Sequence, residues 1–171
     1  MKAVISLGVV AVLVVMVAGC TSKTSTSAGG DAEASQYLLS ERPADAKEVA
    51  DVVKTASDND EVTIVGRIGG SVNPWVDEVA AFDIVDPSLT PCSEREGDNC
   101  PTPWDYCCDL NELKASTAMI KVVDASGQPV EKDARKLFGV KELQTVVAHG
   151  KVQKNEDGRF VVLADRIYIA K

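Results

Sequence analysis

Histidine, aromatic side chains and positive charge are all scarce in this sequence. His149 is the only histidine in 171 residues. That excludes a multi-histidine metal site and leaves at most a lone imidazole base. Aromatic residues make up 5% of the chain, few for the stacking platforms that single-stranded nucleic acid requires. Lys and Arg number 18 against 26 Asp and Glu, a formal net charge of -8, which repels phosphate backbones and anionic headgroups. Nucleic acid is therefore disfavoured as a partner. The chain has no phosphate-cradling glycine loop, no nucleophile elbow and no persuasive spacing of paired carboxylates. Cysteine occurs at position 20 and then only between positions 92 and 108.

What the chain does have starts with an apolar N-terminus. After Lys2, residues 3–17 are uncharged and almost wholly apolar, short for a membrane-spanning helix and followed by small residues. This is the pattern of an export signal. Val17-Ala18-Gly19-Cys20 resembles the lipobox of bacterial lipoproteins. The resemblance covers those four residues and the run before them. It implies cleavage after residue 19, a diacylglyceryl group on the Cys20 sulfur, further acylation such as palmitate on its amine, and anchoring in the cell envelope. Several acyl chains on one residue hold a protein on a membrane where one chain is marginal. A plain signal peptide with an incidental Cys20 is the alternative. Thr21 is not the aspartate that marks inner-membrane retention in enterobacterial lipoproteins, so inner and outer membranes both stay open. Residues 21–35, rich in Ser, Thr, Gly and Ala, read as a flexible tether. The chain thus divides into a signal peptide (1–19), a lipidated cysteine with linker (20–36), an N-terminal helix (37–60) and a domain (61–171).

Within residues 43–56, Ala46, Val49, Ala50, Val53 and Ala56 recur at three- and four-residue steps, with Pro43 suited to a first turn. From residue 61 the period becomes two. Strands are expected over 62–68 (interrupted by Gly66), 79–85, 117–123, 145–153 and 159–169, the last bulged near Ala164 and Asp165. A short helix over 131–138 stops at Gly139. Asn155 to Gly158 form a hairpin turn, and Gly69-Gly70 read as strand-end geometry. The order β-β-β-α-β-β resembles the OB-fold, a five-stranded Greek-key barrel with a helix between strands three and four. The expected class is therefore mainly β. A small sandwich or another α+β sheet shares that element order.

Residues 86–113 insert a cysteine-rich loop between the second and third strands. It holds Cys92, Cys100, Cys107 and Cys108. Four cysteines in an exported domain point to a disulfide framework of unknown pairing, with a direct Cys107–Cys108 bond least attractive, since neighbouring α-carbons lie only about 3.8 Å apart. Zinc on the same four thiolates is the alternative, although the intervening spacings of seven, six and zero residues differ from paired zinc motifs. Asp105 and Asp109 would add oxygen ligands. No C-x-x-C pair suggests redox chemistry. Trp104 and Tyr106 are candidate contact anchors on the loop.

His149 alternates with Lys151 and Gln153, opposite Val146, Ala148 and Val152, and so should face outward. Asp83 and Arg67 lie among apolar neighbours and are expected to pair across the sheet. Phe82 is the main aromatic on the strands with which OB barrels bind oligonucleotides. The periplasmic haem chaperone of cytochrome c maturation is similar in being a membrane-tethered OB barrel, but its C-terminal histidine-tyrosine motif has no counterpart here. These features lead to a lipid-anchored, non-enzymatic binding or interaction module for an envelope protein or small ligand. Oligonucleotide binding and metal or haem handling are the alternatives.

Overall fold

The computed structural model describes residues 28–155 and 158–171. The signal segment, Cys20 and most of the tether lie outside the described residues. The described residues form seven strands and four α-helices, in chain order. They are α1 (Ala28–Ser35), β1 (Lys47–Glu48), α2 (Val49–Thr55), β2 (Glu61–Ile68), β3 (Trp75–Val76), β4 (Ala81–Val85), α3 (Leu110–Leu113), β5 (Thr117–Val122), α4 (Ala134–Phe138), β6 (Thr145–Lys154) and β7 (Phe160–Ile169).

The five long strands close on themselves. β2 pairs antiparallel with β4, β4 with β5, β5 parallel with β7, β7 antiparallel with β6, and β6 antiparallel with β2. This is the Greek-key circuit of an OB barrel, with α4 between its third and fourth strands. The alternation expected from the sequence decides which side chains go inside. Ile64 and Ile68 of β2, Phe82 and Ile84 of β4, Ile120 and Val122 of β5, Val146 and Ala148 of β6, and Val162 and Ile167 of β7 form one buried cluster. Closure also leaves these strands without a free edge, which protects them from pairing with other chains.

β6 and β7 shift register between His149, opposite Arg166, and Gly150, opposite Ala164. Asp165 is therefore the extra residue of a bulge, where the sequence placed one. Gly150 is required there, because a Cβ at that position would stand 2.0 Å from the Leu163 carbonyl oxygen. Gly139 caps α4 as expected.

The N-terminal region departs from expectation. The helix expected over 43–56 begins only at Val49, because Lys47 and Glu48 are extended and pair in parallel with Ile64 and Val65. Of the expected stripe, Val49 and Ala56 are buried, while Ala46 and Ala50 are only half-buried, and Val52, outside the stripe, is buried beside Val49. Both valines join the barrel core, so α2 plugs one end. The end of the segment read as a tether is helical. α1 lies against α4, with Ala34 buried and Glu33 bonded to Lys132 at 2.7 Å. Tyr37 packs edge-on to Phe138, and backbone bonds tie residues 37–39 to Ile167. Among the described residues, no helix is long and apolar enough to cross a membrane.

Candidate functional site

Two features of the barrel surface concentrate chemistry: a groove across β4 and β5, and the cysteine loop at its side. The groove encloses about 670 Å³. Asp83, Thr117 and Met119 alternate with core residues and so form its floor, while Lys154 and Arg159 flank the β6–β7 turn at its rim and Lys114 approaches from α3. OB barrels bind ligands across this pair of strands, between the loops that follow the first and fourth. Burial pushes the Asp83 carboxyl up to about 6, opposed by the positive charge of Arg159. The groove thus joins one shielded carboxyl to three cations, in a chain whose overall charge is negative.

Sequence reasoning missed these cations because they come from two separated segments, the end of α3 and the β6–β7 hairpin. Phe82, expected on the binding strands, points the other way. It is buried inside the barrel, 5.9 Å from Trp75, and offers no face for stacking a base. The expected Arg67–Asp83 pair is also absent. Asp83 would stand opposite Gly69, whose N–H donates to the Asp83 carbonyl, whereas Arg67 is opposite Val85 and reaches Glu94 of the loop at 2.6 Å.

The cysteine loop has little regular structure beyond two 3-10 turns (Cys92–Glu94 and Cys107–Asp109) and α3. It is nonetheless seated on the barrel. The Gly70 N–H donates to the Trp104 carbonyl at 2.8 Å, and the Trp104 indole N–H donates to the Val72 carbonyl at 3.1 Å. A Cβ on Gly69 would meet the Trp104 carbonyl oxygen at 2.5 Å, and Gly70 has φ of +97°, so the glycine pair is the seat on which the loop rests. Tyr106 is fully buried in a left-handed conformation (φ 55°). It therefore anchors the loop to the barrel and is not a contact for a partner. Trp104 is half-buried. Burial raises the Tyr106 hydroxyl to about 12, opposed by Arg67, and its oxygen has no hydrogen-bond partner.

At the loop's root, buried Asp86 accepts the Ala50 N–H at 2.7 Å and the Ser88 N–H at 2.9 Å. Glu48 at the start of α2 makes no side-chain cap, so Asp86 caps that helix from a distance.

The four cysteines converge, and none is joined to another in this structure. The nearest sulfurs, Cys92 and Cys107, stand 3.6 Å apart. Donor atoms of Cys92, Cys100, Asp105 and Cys107 all lie within 4.8 Å of one another, and those of Cys92, Asp98 and Cys108 form a second such group. Cys92 is buried and Cys107 exposed. Burial raises the Cys92 thiol, and the hydrogen bond with Cys92 raises that of Cys107. Of the two loop aspartates, Asp105 lies inside the cluster, while Asp109 is held by Arg95.

His149 faces outward as expected, with Nδ1 3.0 Å from Asp165 and Nε2 3.1 Å from Glu61. It belongs to neither the groove nor the cysteine cluster.

No known protein family matches the chain, and no curated protein does. Among solved structures it is similar to one described as the hypothetical protein ygiW from E. coli. That chain is 15% identical, and the match covers 78% of this chain and 96% of the other with a TM-score of 0.38. So low a TM-score carries no argument, and the OB assignment rests on the strand pairing.

Proposed function

We propose that this chain is a bacterial lipoprotein, anchored in the cell envelope through Cys20, whose OB barrel is a non-enzymatic binding module. The observation that carries the binding role is the groove across β4 and β5. The barrel circuit places it where this fold takes ligands, and closure of the sheet leaves the floor rigid. Lys114, Lys154 and Arg159 favour a ligand that carries negative charge. The anchor rests on Val17-Ala18-Gly19-Cys20 and the apolar run before it.

Two measurements on full-length protein in bacterial cells test this reading. Labelled palmitate should enter the chain and be lost in Cys20→Ser; an unlabelled parent rules out the anchor. A photo-crosslinking residue at Thr117 should capture an envelope component, and the charge-reversing Lys154→Glu should reduce that capture. Equal capture by both chains rules out the groove as the ligand surface.

The cations of the groove also raise the oligonucleotide reading. It lacks stacking platforms, since Phe82 is interior and Phe160 is buried beneath Lys154, whose Nζ lies 6.0 Å from its ring centre. Fluorescence anisotropy with single-stranded DNA at low salt should show no binding; tight, salt-sensitive binding would replace the small-ligand reading.

A further inference from the structure

We infer that Cys92, Cys100, Asp105 and Cys107 form a tetrahedral site for a zinc-class divalent cation. The inference concerns the loop alone and stands whether or not the groove takes a ligand.

Geometry argues for it first. A tetrahedral zinc with Zn–S bonds of about 2.3 Å places two sulfurs about 3.8 Å apart, and with Zn–O of about 2.1 Å a sulfur and an oxygen about 3.6 Å apart. The Cys92 and Cys107 sulfurs are 3.6 Å apart, and Asp105 Oδ1 lies 3.9 Å from Cys92 Sγ and 4.0 Å from Cys100 Sγ. Shifts of a few tenths of an ångström bring these edges to the ideal figure.

The carboxylate argues for it second. Asp105 Oδ1 faces the Cys92 and Cys100 thiols and accepts the Cys107 N–H at 2.9 Å, while Oδ2 accepts the Thr102 hydroxyl at 2.8 Å. A pair of disulfides has no use for a carboxylate held among its sulfurs. A metal centre does, and Thr102 is the kind of outer partner that orients a ligand. Asp98 supports the set from behind by accepting the Cys100 N–H at 2.7 Å.

Backbone conformation argues for it third. Tyr106, fully buried and left-handed, turns the chain between Asp105 and Cys107 so that both reach the same point. Cys108 lies outside this set: its thiol stands 3.8 Å from Asp98 and groups with Asp98 and Cys92 alone, so it is not a ligand.

Binding displaces one proton from each of three thiols to solvent and forms three Zn–S bonds and one Zn–O bond. No electron is transferred. Three thiolates and one carboxylate around a dication leave the same charge as a four-cysteine zinc site, which is a stable arrangement. A closed set of four protein ligands makes this a structural centre that pins the loop to its glycine seat.

The test uses full-length protein purified anaerobically under reductant and stripped with a chelator. Titration with cobalt(II) should give one equivalent per chain, with thiolate charge-transfer absorption and the strong visible bands of tetrahedral cobalt, discharged by zinc. Zinc binding should release three protons per chain in unbuffered solution. Asp105→Asn, close to isosteric and so expected to fold, and Cys100→Ser should each weaken cobalt binding by at least about tenfold. Cys108→Ser should titrate like the parent. Absence of tetrahedral cobalt bands in the parent overturns the site. So does undiminished binding in Cys100→Ser, or recovery of the protein from the envelope metal-free with all four thiols oxidised.

Discussion

The barrel and the cysteine loop are held by different physics. In the barrel, alternate residues of five strands enter one apolar cluster, and every strand has a hydrogen-bonded neighbour on both sides. Stability there is spread over many side chains, each contributing through the area it removes from water. The loop has few such contributors. It is fixed at points: Tyr106 buried against the barrel, Trp104 bonded to Gly70 and Val72, Asp86 at the root, and thiols gathered round Asp105. The contrast shows how a chain with an ordinary core supports a long irregular insertion. The barrel supplies a rigid wall, and the insertion needs only enough fixed points to stay on it.

Substitutions in the two regions should therefore fail differently. Ile120→Ala removes a fully buried side chain from the shared core. It should cost about 4 kcal/mol and lower the whole unfolding transition, followed by circular dichroism in urea. A change confined to the loop would erase the distinction. Tyr106→Ala should cost about 3 kcal/mol, felt as faster amide exchange across the loop while the barrel strands keep their protection. Equal loss in the strands would show that loop and barrel unfold as one. Tyr106→Phe, which removes a buried hydroxyl with no partner, should be neutral or stabilising by up to about 1 kcal/mol.

Asp83 sharpens the comparison at the groove. Its folded pKa of about 6 lies above its ordinary value of 3.8, so folding favours the protonated form. The corresponding stability is present in full below about pH 4 and is lost as the pH rises through 6. Asp83→Asn should abolish that slope and gain stability of about 2 to 3 kcal/mol at pH 7 over the parent, measured by urea titration at pH 4.5 and pH 7. An unchanged slope would mean that the carboxyl is already solvated. Asp86→Ala should cost about 2 kcal/mol, because it leaves the start of α2 and the root of the loop without their shared acceptor. Smallest of all, Glu94→Gln breaks the partly exposed ion pair with Arg67 between loop and barrel and should change stability by less than about 1 kcal/mol.

The barrel was legible for a simple reason. In a strand the two faces alternate residue by residue, so sidedness can be read from neighbours in the chain. That rule set Val146, Ala148 and Val152 inward and His149 outward, and the bulge expected near Ala164 and Asp165 is present. It failed where sidedness depends on distant segments. α2 was expected to bury Ala46 and Ala50, yet Lys47 and Glu48 pair with β2 instead, and the helix starts later with Val52 on its inner face. Tyr106 was a candidate contact anchor and is buried because the loop folds back over Gly69 and Gly70. Arg67 and Asp83 were expected to pair, but the register between β2 and β4 sets them apart.

The sequence by itself determined the order of the elements, the apolar and polar faces of the barrel strands and the confinement of four thiols to one insertion. These follow from local periodicity and from chain position. Only the tertiary structure decided that Asp105 stands among the sulfurs, that Asp86 caps a helix 36 residues earlier and that three cations line the same groove as Asp83. Such groups are brought within a few ångströms by closure of the barrel and seating of the loop. Contact distances of that kind depend on the path of the whole chain, which no local pattern encodes.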